Sequence, residues 1–269
     1  MTTLVNGRTT GIDPTDRGLA YGDGLFETMA ASDGRIRWLE HHLERLAAGC
    51  ERVAIPFPDA AALRAEVGQA AAGIGRHVVK VIVTRGIGAR GYAPPATPVP
   101  TRIVTKSSWP AYPPENYTRG IRLRTLQLAL GENPALAGLK HLCRLEQVLA
   151  RLELGGTADE GVLLDRSGFV VGGISSNVFV VRDGQLHTPA LERCGVKGVM
   201  RRVVLETARG AGLAAGEVEM TRAELAAADE VFVTNALIGI WPVIELDGRT
   251  LPRGRCTADL LRRLGFAHA

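Results

Sequence analysis

From Trp38 onward the apolar positions Leu39, Leu43, Leu46, Ala47 and Val53 recur at helical spacing, with His41, Glu44 and Arg45 on other faces. That spacing predicts an amphipathic helix. A second helix is predicted from about Ala60 to Ala72, with Asp59 as its N-cap. The β-branched run Val78-Val79-Lys80-Val81-Ile82-Val83 predicts a central strand that ends in a glycine-rich loop, Gly86 to Gly91. Asn6-Gly7, Asp33-Gly34 and Asp183-Gly184 carry hairpin-turn chemistry.

The second half opens with a strand near Ile121 to Leu128. A loop leads to Lys140, placed at the entrance of a helix whose apolar stripe is Leu142, Leu145, Leu149 and Leu152. Short strands follow at Val162 to Leu164, Phe169 to Val171 and Val178 to Val181, then a helix from about Gly198 to Ala211 and a strand from Glu230 to Thr234. Helices and strands mix throughout, so the fold class is α/β or α+β. Three prolines between Ser107 and Pro114 suit a linker. The expected organisation is an N-terminal α/β domain over 1–108, a linker over 109–120 and a C-terminal α/β domain over 121–269.

A length of 269 residues accommodates one large domain or two modest ones. The net charge of +4 is carried by scattered residues without a basic, aromatic-interleaved stripe, which argues against nucleic acid and suits a small anionic substrate. Cys50, Cys143, Cys194 and Cys256 lie far apart, with no metal-ligand spacing, as expected of reduced thiols in a cytoplasm. The N-terminus lacks a secretory pattern, and charged residues or glycines interrupt every apolar stretch before it could span a bilayer. The expectation is a soluble cytoplasmic protein that binds no membrane. Neither an HExxH zinc motif nor a GxSxG nucleophile elbow occurs.

Most lysines are solvated surface charges. Lys140 instead sits in the apolar, turn-forming run Asn133-Pro-Ala-Leu-Ala-Gly-Leu-Lys140-His141-Leu. A desolvated lysine loses its proton more easily and becomes a nucleophile toward a carbonyl carbon. Gly195-Val196-Lys197-Gly198-Val199-Met200-Arg201 sets a glycine loop at a helix N-terminus, where backbone N–H groups and the helix dipole favour a phosphate; an ordinary loop reads the same way. Arg45 could pair with a phosphate or simply solvate its helix. Arg90 and Tyr92, just past a strand end, are placed either as loop surface or as donors to a ligand carboxylate.

Together these segments resemble the fold type IV pyridoxal phosphate (PLP) enzymes, the branched-chain and D-amino-acid aminotransferase-like family, and within it the lyase branch that acts on aminodeoxychorismate. The resemblance runs over almost the whole length. It is carried by Asp16-Arg17-Gly18, Tyr21-Gly22-Asp23-Gly24-Leu25-Phe26-Glu27-Thr28, Arg45-Leu46, Thr84-Arg85-Gly86 through Arg90-Gly91-Tyr92, and Asn133-Pro134 through Lys140-His141-Leu142-Cys143-Arg144-Leu145-Glu146-Gln147-Val148. Ser176-Asn177-Val178-Phe179, Gly195 to Arg201 and Thr234-Asn235-Ala236-Leu237 complete it.

The resemblance implies two α/β domains with PLP between them in a homodimer whose partner helps close the site. Lys140 would carry PLP covalently and act as base. Arg45, Gly198, the N–H groups of Val199 and Met200, Asn177 and Asn235 would hold it. Thr28 would face the substrate, and Arg90 and Tyr92 would bind the substrate anion. The implied activity converts 4-amino-4-deoxychorismate to 4-aminobenzoate and pyruvate for folate synthesis; the alternatives are a branched-chain or D-amino-acid aminotransferase and a non-catalytic PLP-binding protein. Two positions depart from the pattern. Gly172 stands where the family usually has the glutamate that keeps the pyridine nitrogen protonated, and Cys143 stands where asparagine is common.

Overall fold

The computed structural model describes residues 2–266. Its chain forms two compact units, one of Met1–Pro110 with Leu139–Cys143, the other of Ala111–Gly138 with Arg144–Ala269.

The first unit contains β1 (Thr2–Val5), α1 (Arg17–Tyr21), β2 (Gly24–Ser32), β3 (Arg35–Ile36), α2 (Leu39–Arg52), α3 (Ala60–Ala71), β4 (Arg76–Thr84) and β5 (Thr101–Ser108). Its sheet runs β1-β5-β4-β2-β3, antiparallel throughout. The β-branched run therefore does form a central strand, β4. Asn6 and Gly7 make the expected left-handed turn, yet β1 takes β5 as its ladder partner. Alternation along β2 and β4 turns Leu25, Glu27, Met29, Val79, Val81 and Val83 to one face, all buried. The opposite face carries Phe26, Thr28, Lys80 and Ile82. Helix α3 is capped by Asp59, which accepts from the N–H groups of Ala61 and Ala62.

The second unit contains α4 (Glu115–Thr118), β6 (Ile121–Leu130), α5 (Leu145–Leu154), β7 (Glu160–Asp165), β8 (Val170–Gly173), β9 (Asn177–Arg182), β10 (Gln185–Pro189), α6 (Val199–Gly210), β11 (Ala215–Val218), α7 (Arg222–Ala226), β12 (Glu230–Asn235), β13 (Gly239–Leu246), β14 (Arg249–Thr250) and α8 (Arg255–Arg263). The sheet order is β11-β10-β9-β12-β13-β6-β7-β8, with β14 on β13. Parallel pairs at β6–β7, β6–β13 and β10–β11 are mixed with antiparallel ones, an α/β arrangement. Phe179 and Phe232 stack in the core at 4.9 Å.

Within the stretch read as linker, Tyr117 is buried and Tyr112 half-buried, with their rings edge-on to Trp241 at 6.0 and 5.1 Å, while Ala111, Pro113, Pro114, Glu115, Thr118 and Arg119 are exposed. One expectation needs correction. Helix α5 begins at Leu145, so Lys140 does not open it. Leu142 donates its N–H to the Gly24 carbonyl, and the remaining stripe, Leu145, Leu149 and Leu152, is exposed, with Ala150 and Leu154 buried instead. Periodicity marks an amphipathic face but says nothing of what covers it. Among the described residues no helix is long and apolar enough to cross a membrane.

Candidate active site

In the first unit Leu139–Cys143 lies along the starting half of β2 as an antiparallel edge. The Phe26 N–H donates to the Lys140 carbonyl at 2.9 Å, Leu142 N–H donates to the Gly24 carbonyl at 3.0 Å, and His141 bridges Leu25. This register sets Lys140 beside Phe26 with both side chains on one face. The Lys140 Nζ accordingly sits 4.3 Å from the Phe26 ring centroid. The same ring meets the Nζ of Lys80 at 4.8 Å, and Lys80 pairs with Thr28 across the β2–β4 ladder. Lys140, Thr28 and Lys80 thus share one half-buried face of the sheet. The π-face of an aromatic ring attracts a cationic lysine terminus at such distances.

Behind that face lies a buried ion cluster. Glu27 receives Arg45 through Nε at 2.8 Å and Nη2 at 2.5 Å, and meets Nδ1 of His42 at 2.6 Å. Glu27 is 1% exposed and His42 0%. Burial pushes the Glu27 carboxyl up, but the charge of Arg45 and the hydrogen bonds from His42 and Arg45 hold it below the usual range. Burial drives the His42 imidazole down against the pull of Glu27, and the charges of Arg45 and Lys140 lower it further. A neutral His42 that donates from Nδ1 presents a bare Nε2, and that atom is buried with no hydrogen-bond partner. Arg45 is thus oriented by a bidentate carboxylate.

Arg90 is exposed, and Tyr92 is 86% exposed with its ring 5.5 Å from that of Tyr21. Their loop is held at its base by α1, through Arg17 and Tyr21.

In the second unit Gly198 is the N-cap of α6 and no side chain caps that end. The first-turn residues Val199 and Met200 are buried. A Cβ on Gly198 would come within 2.1 Å of Asn177 Oδ1, so only glycine lets the amide lie against the helix start. Asn177 donates from Nδ2 to the Val196 carbonyl at 2.8 Å, holding the loop. Backbone donors around a side-chain-free cradle suit a phosphate. Asn235 is engaged with backbone: Nδ2 donates to the Ser175 carbonyl at 3.1 Å, while Oδ1 accepts from Leu237 and Ile238 N–H at 2.9 and 3.0 Å. Its visible work is to order the turn after β12 and tie it to the Ser175 loop.

Gly172 sits where β8 bends toward β9. A Cβ there would meet the Ser176 carbonyl oxygen at 3.0 Å, and one on Gly173 would meet Ser176 Oγ at 2.1 Å. A side chain at 172 requires that carbonyl to give way. Nearby, Glu160 is buried and accepts from Ser175 Oγ at 2.7 Å and Ser176 Oγ at 3.3 Å.

Several of these groups escaped sequence reasoning. Lys80 was visible as the single polar interruption of a β-branched run, and alternation alone puts it on the face opposite Val79 and Val81. Glu27 and His42 gave no such signal, since a lone carboxylate in a strand and one of two adjacent histidines look like surface residues. Phe26 acquires its part only through the register with Lys140.

The profile of the family described as amino-transferase class IV matches residues 24–246. A protein of Vibrio harveyi named aminodeoxychorismate lyase is 37% identical over 234 residues, 85% of this chain and 84% of that protein. The crystal structure of 4-amino-4-deoxychorismate lyase from Pseudomonas aeruginosa is 51% identical, with a TM-score of 0.94 and 97% of each chain covered. A branched-chain-amino-acid aminotransferase of Pseudomonas aeruginosa is 30% identical over 252 residues, 88% of this chain and 80% of that protein.

Proposed function

Because the chain belongs to the amino-transferase class IV family, we infer that it is a PLP-dependent lyase converting 4-amino-4-deoxychorismate to 4-aminobenzoate and pyruvate. The observation that carries this reading is the face bearing Lys140, Thr28 and Lys80 around Phe26, a nucleophilic amine next to a second cation. The substrate has two carboxylates and one amine, which matches that charge pattern. The two lyase relatives are more similar to the chain than the aminotransferase is.

When bound, PLP supplies an aldehyde for the substrate amine and an electron-withdrawing ring that acidifies the neighbouring C–H. Lys140 would hold it covalently, with the Val199 and Met200 N–H groups and Arg45 on its phosphate and Asn177 and Asn235 ordering the cradle. The Lys140 amine would take the proton from the amine-bearing ring carbon as general base. Loss of that proton and of the enolpyruvyl group makes the ring aromatic. Lys140, with Thr28, returns a proton to the departing enolpyruvate, which leaves as pyruvate. Arg90, Tyr92 and Lys80 hold the carboxylates. Aromatisation is a driving force that transamination lacks, and it suits a pocket with Gly172 in place of the family carboxylate.

The exposed apolar face of α5, formed by Leu145, Val148, Leu149 and Leu152, supports assembly as a homodimer. The four free cysteines, two of them buried, accord with a cytoplasmic enzyme. The test is incubation with 4-amino-4-deoxychorismate, following 4-aminobenzoate by fluorescence and pyruvate by a coupled dehydrogenase. Equimolar products are expected. Glutamate formation from an amino acid and 2-oxoglutarate, without any 4-aminobenzoate, would refute the reading in favour of an aminotransferase.

A further inference from the structure

Arg17 is 4% exposed although it belongs to a five-residue surface helix, and four hydrogen bonds account for its burial. Nε donates to Asp23 Oδ2 at 2.8 Å. Nη1 donates to the carbonyls of Gly91 at 3.0 Å and Ala93 at 3.3 Å, and Nη2 donates to the Tyr92 carbonyl at 3.0 Å. One guanidinium therefore grips three successive carbonyls of the segment that carries Arg90 and Tyr92. Next to it, Gly91 N–H donates to Tyr21 Oη at 3.0 Å, and the Arg17 guanidinium carbon lies 4.9 Å from the centre of the Tyr21 ring.

The grip is itself anchored. Asp23 also accepts from Arg85 Nε and Nη2 at 2.8 and 3.0 Å, and Arg85 donates to the carbonyls of Val53 and Ala54 beyond the end of α2. Asp16 caps α1 through Gly18 N–H and receives Thr84 Oγ1 at 2.9 Å. Gly88 is glycine for the same reason: a Cβ there would meet Arg17 Cδ at 2.7 Å, so the arginine stem crosses the loop where no side chain stands. A planar fork can serve one carboxylate and three carbonyls at once, whereas a lysine ammonium offers three donors from a single atom.

We propose that Arg17 is a positioning residue for substrate recognition, which acts by fixing the Arg90–Tyr92 segment from behind and touches neither substrate nor cofactor. Tyr21 is its auxiliary. This rests on the reading of Arg90 and Tyr92 as the groups that bind a substrate carboxylate.

The test compares the PLP-loaded wild-type enzyme with Arg17→Lys and Tyr21→Phe. For Arg17→Lys the KM for 4-amino-4-deoxychorismate should rise on the order of tenfold or more while kcat changes little, since the charged hydrogen bonds lost run to the binding loop and to Asp23 and none of them to Lys140 or Thr28. For Tyr21→Phe, which removes one neutral hydrogen bond at a partly exposed site, a rise of roughly two- to tenfold is expected. Amide hydrogen exchange should quicken at 91–93 in both variants and stay unchanged at 139–142. The visible spectrum of bound PLP should not move. Unchanged KM in Tyr21→Phe together with unchanged exchange at 91–93 would overturn the proposal, even if Arg17→Lys fails to fold. A kcat loss at constant KM would overturn it as well. A wild-type enzyme that forms no 4-aminobenzoate would instead defeat the underlying function.

Discussion

Replacing Glu27 by glutamine tests the buried cluster that orients Arg45. The carboxylate accepts two bonds from Arg45 and one contact from His42, with the Glu27 side chain 2% exposed and that of Arg45 18%. Removing one member of a buried ion pair costs roughly 3–5 kcal/mol, and the partial exposure of Arg45 places this pair near the lower end, about 3 kcal/mol. For a chain of this size that is a fall of roughly 6–12 °C in Tm. Arg45, no longer held by two charged hydrogen bonds, should bind the phosphate of PLP on the order of tenfold more weakly. The sign of the pH effect follows from the depressed Glu27 carboxyl. Its folded value lies below the ordinary 4.5, so its contribution is complete above that pH and is lost as pH falls through the lowered folded value. His42 acts in the same direction from a higher starting point. Its lowered folded value means that the unfolded chain takes up the proton first as pH drops below about 6.5, and stability declines from there. Thermal melting of the PLP-free protein between pH 8 and pH 4, with PLP titrations at pH 7.5, reads all of this. Both proteins should lose stability below about pH 6.5, and the part of the gap owed to the Glu27 charge should be lost only below about pH 4.5. A variant that melts within a degree of wild type at neutral pH and binds PLP equally well would refute the assignment of Glu27 as the anchor of Arg45.

Other expectations are simpler to measure. Lys140→Ala should lower 4-aminobenzoate formation by roughly 10³-fold or more in a steady-state assay, while its far-ultraviolet circular dichroism matches wild type. Gly198→Ala puts a methyl group 2.1 Å from Asn177 Oδ1 at the start of α6. Equilibrium dialysis should then show PLP affinity falling about tenfold, with a stability loss of about 1–3 kcal/mol from overpacking. Burial pushes the Cys50 thiol up to about 12, so alkylation at pH 8 should spare Cys50 in the folded protein and modify the exposed Cys143 first, as peptide mapping would reveal.

The boundaries of α2, α3, β4 and α6 fall within a few residues of where periodicity and capping put them, because those signals act between near neighbours in the chain. The strand β2 was anticipated only through the Asp33-Gly34 turn at its end. Its sequence, Gly-Leu-Phe-Glu-Thr-Met-Ala-Ala-Ser, lacks the β-branched density of β4, and its strand character comes from pairing with β4 on one side and with β3 and the Lys140 segment on the other. The α5 stripe shows the opposite failure, a clear local pattern that points outward.

What the amino-acid sequence determined unaided is therefore local: the helices and turns, the α/β class, and a lysine set among apolar residues ahead of a glycine loop that opens a helix. Motif order added the family. The tertiary structure alone decided that Lys140 lies on a strand edge in register with Phe26, that Lys80 shares its face, that Glu27 clamps Arg45, and that Arg17 grips the loop of Arg90 and Tyr92. Each of these depends on hydrogen-bond register and burial between segments distant in sequence. Such pairings are set by the packing of whole elements, and no window of neighbouring residues contains them.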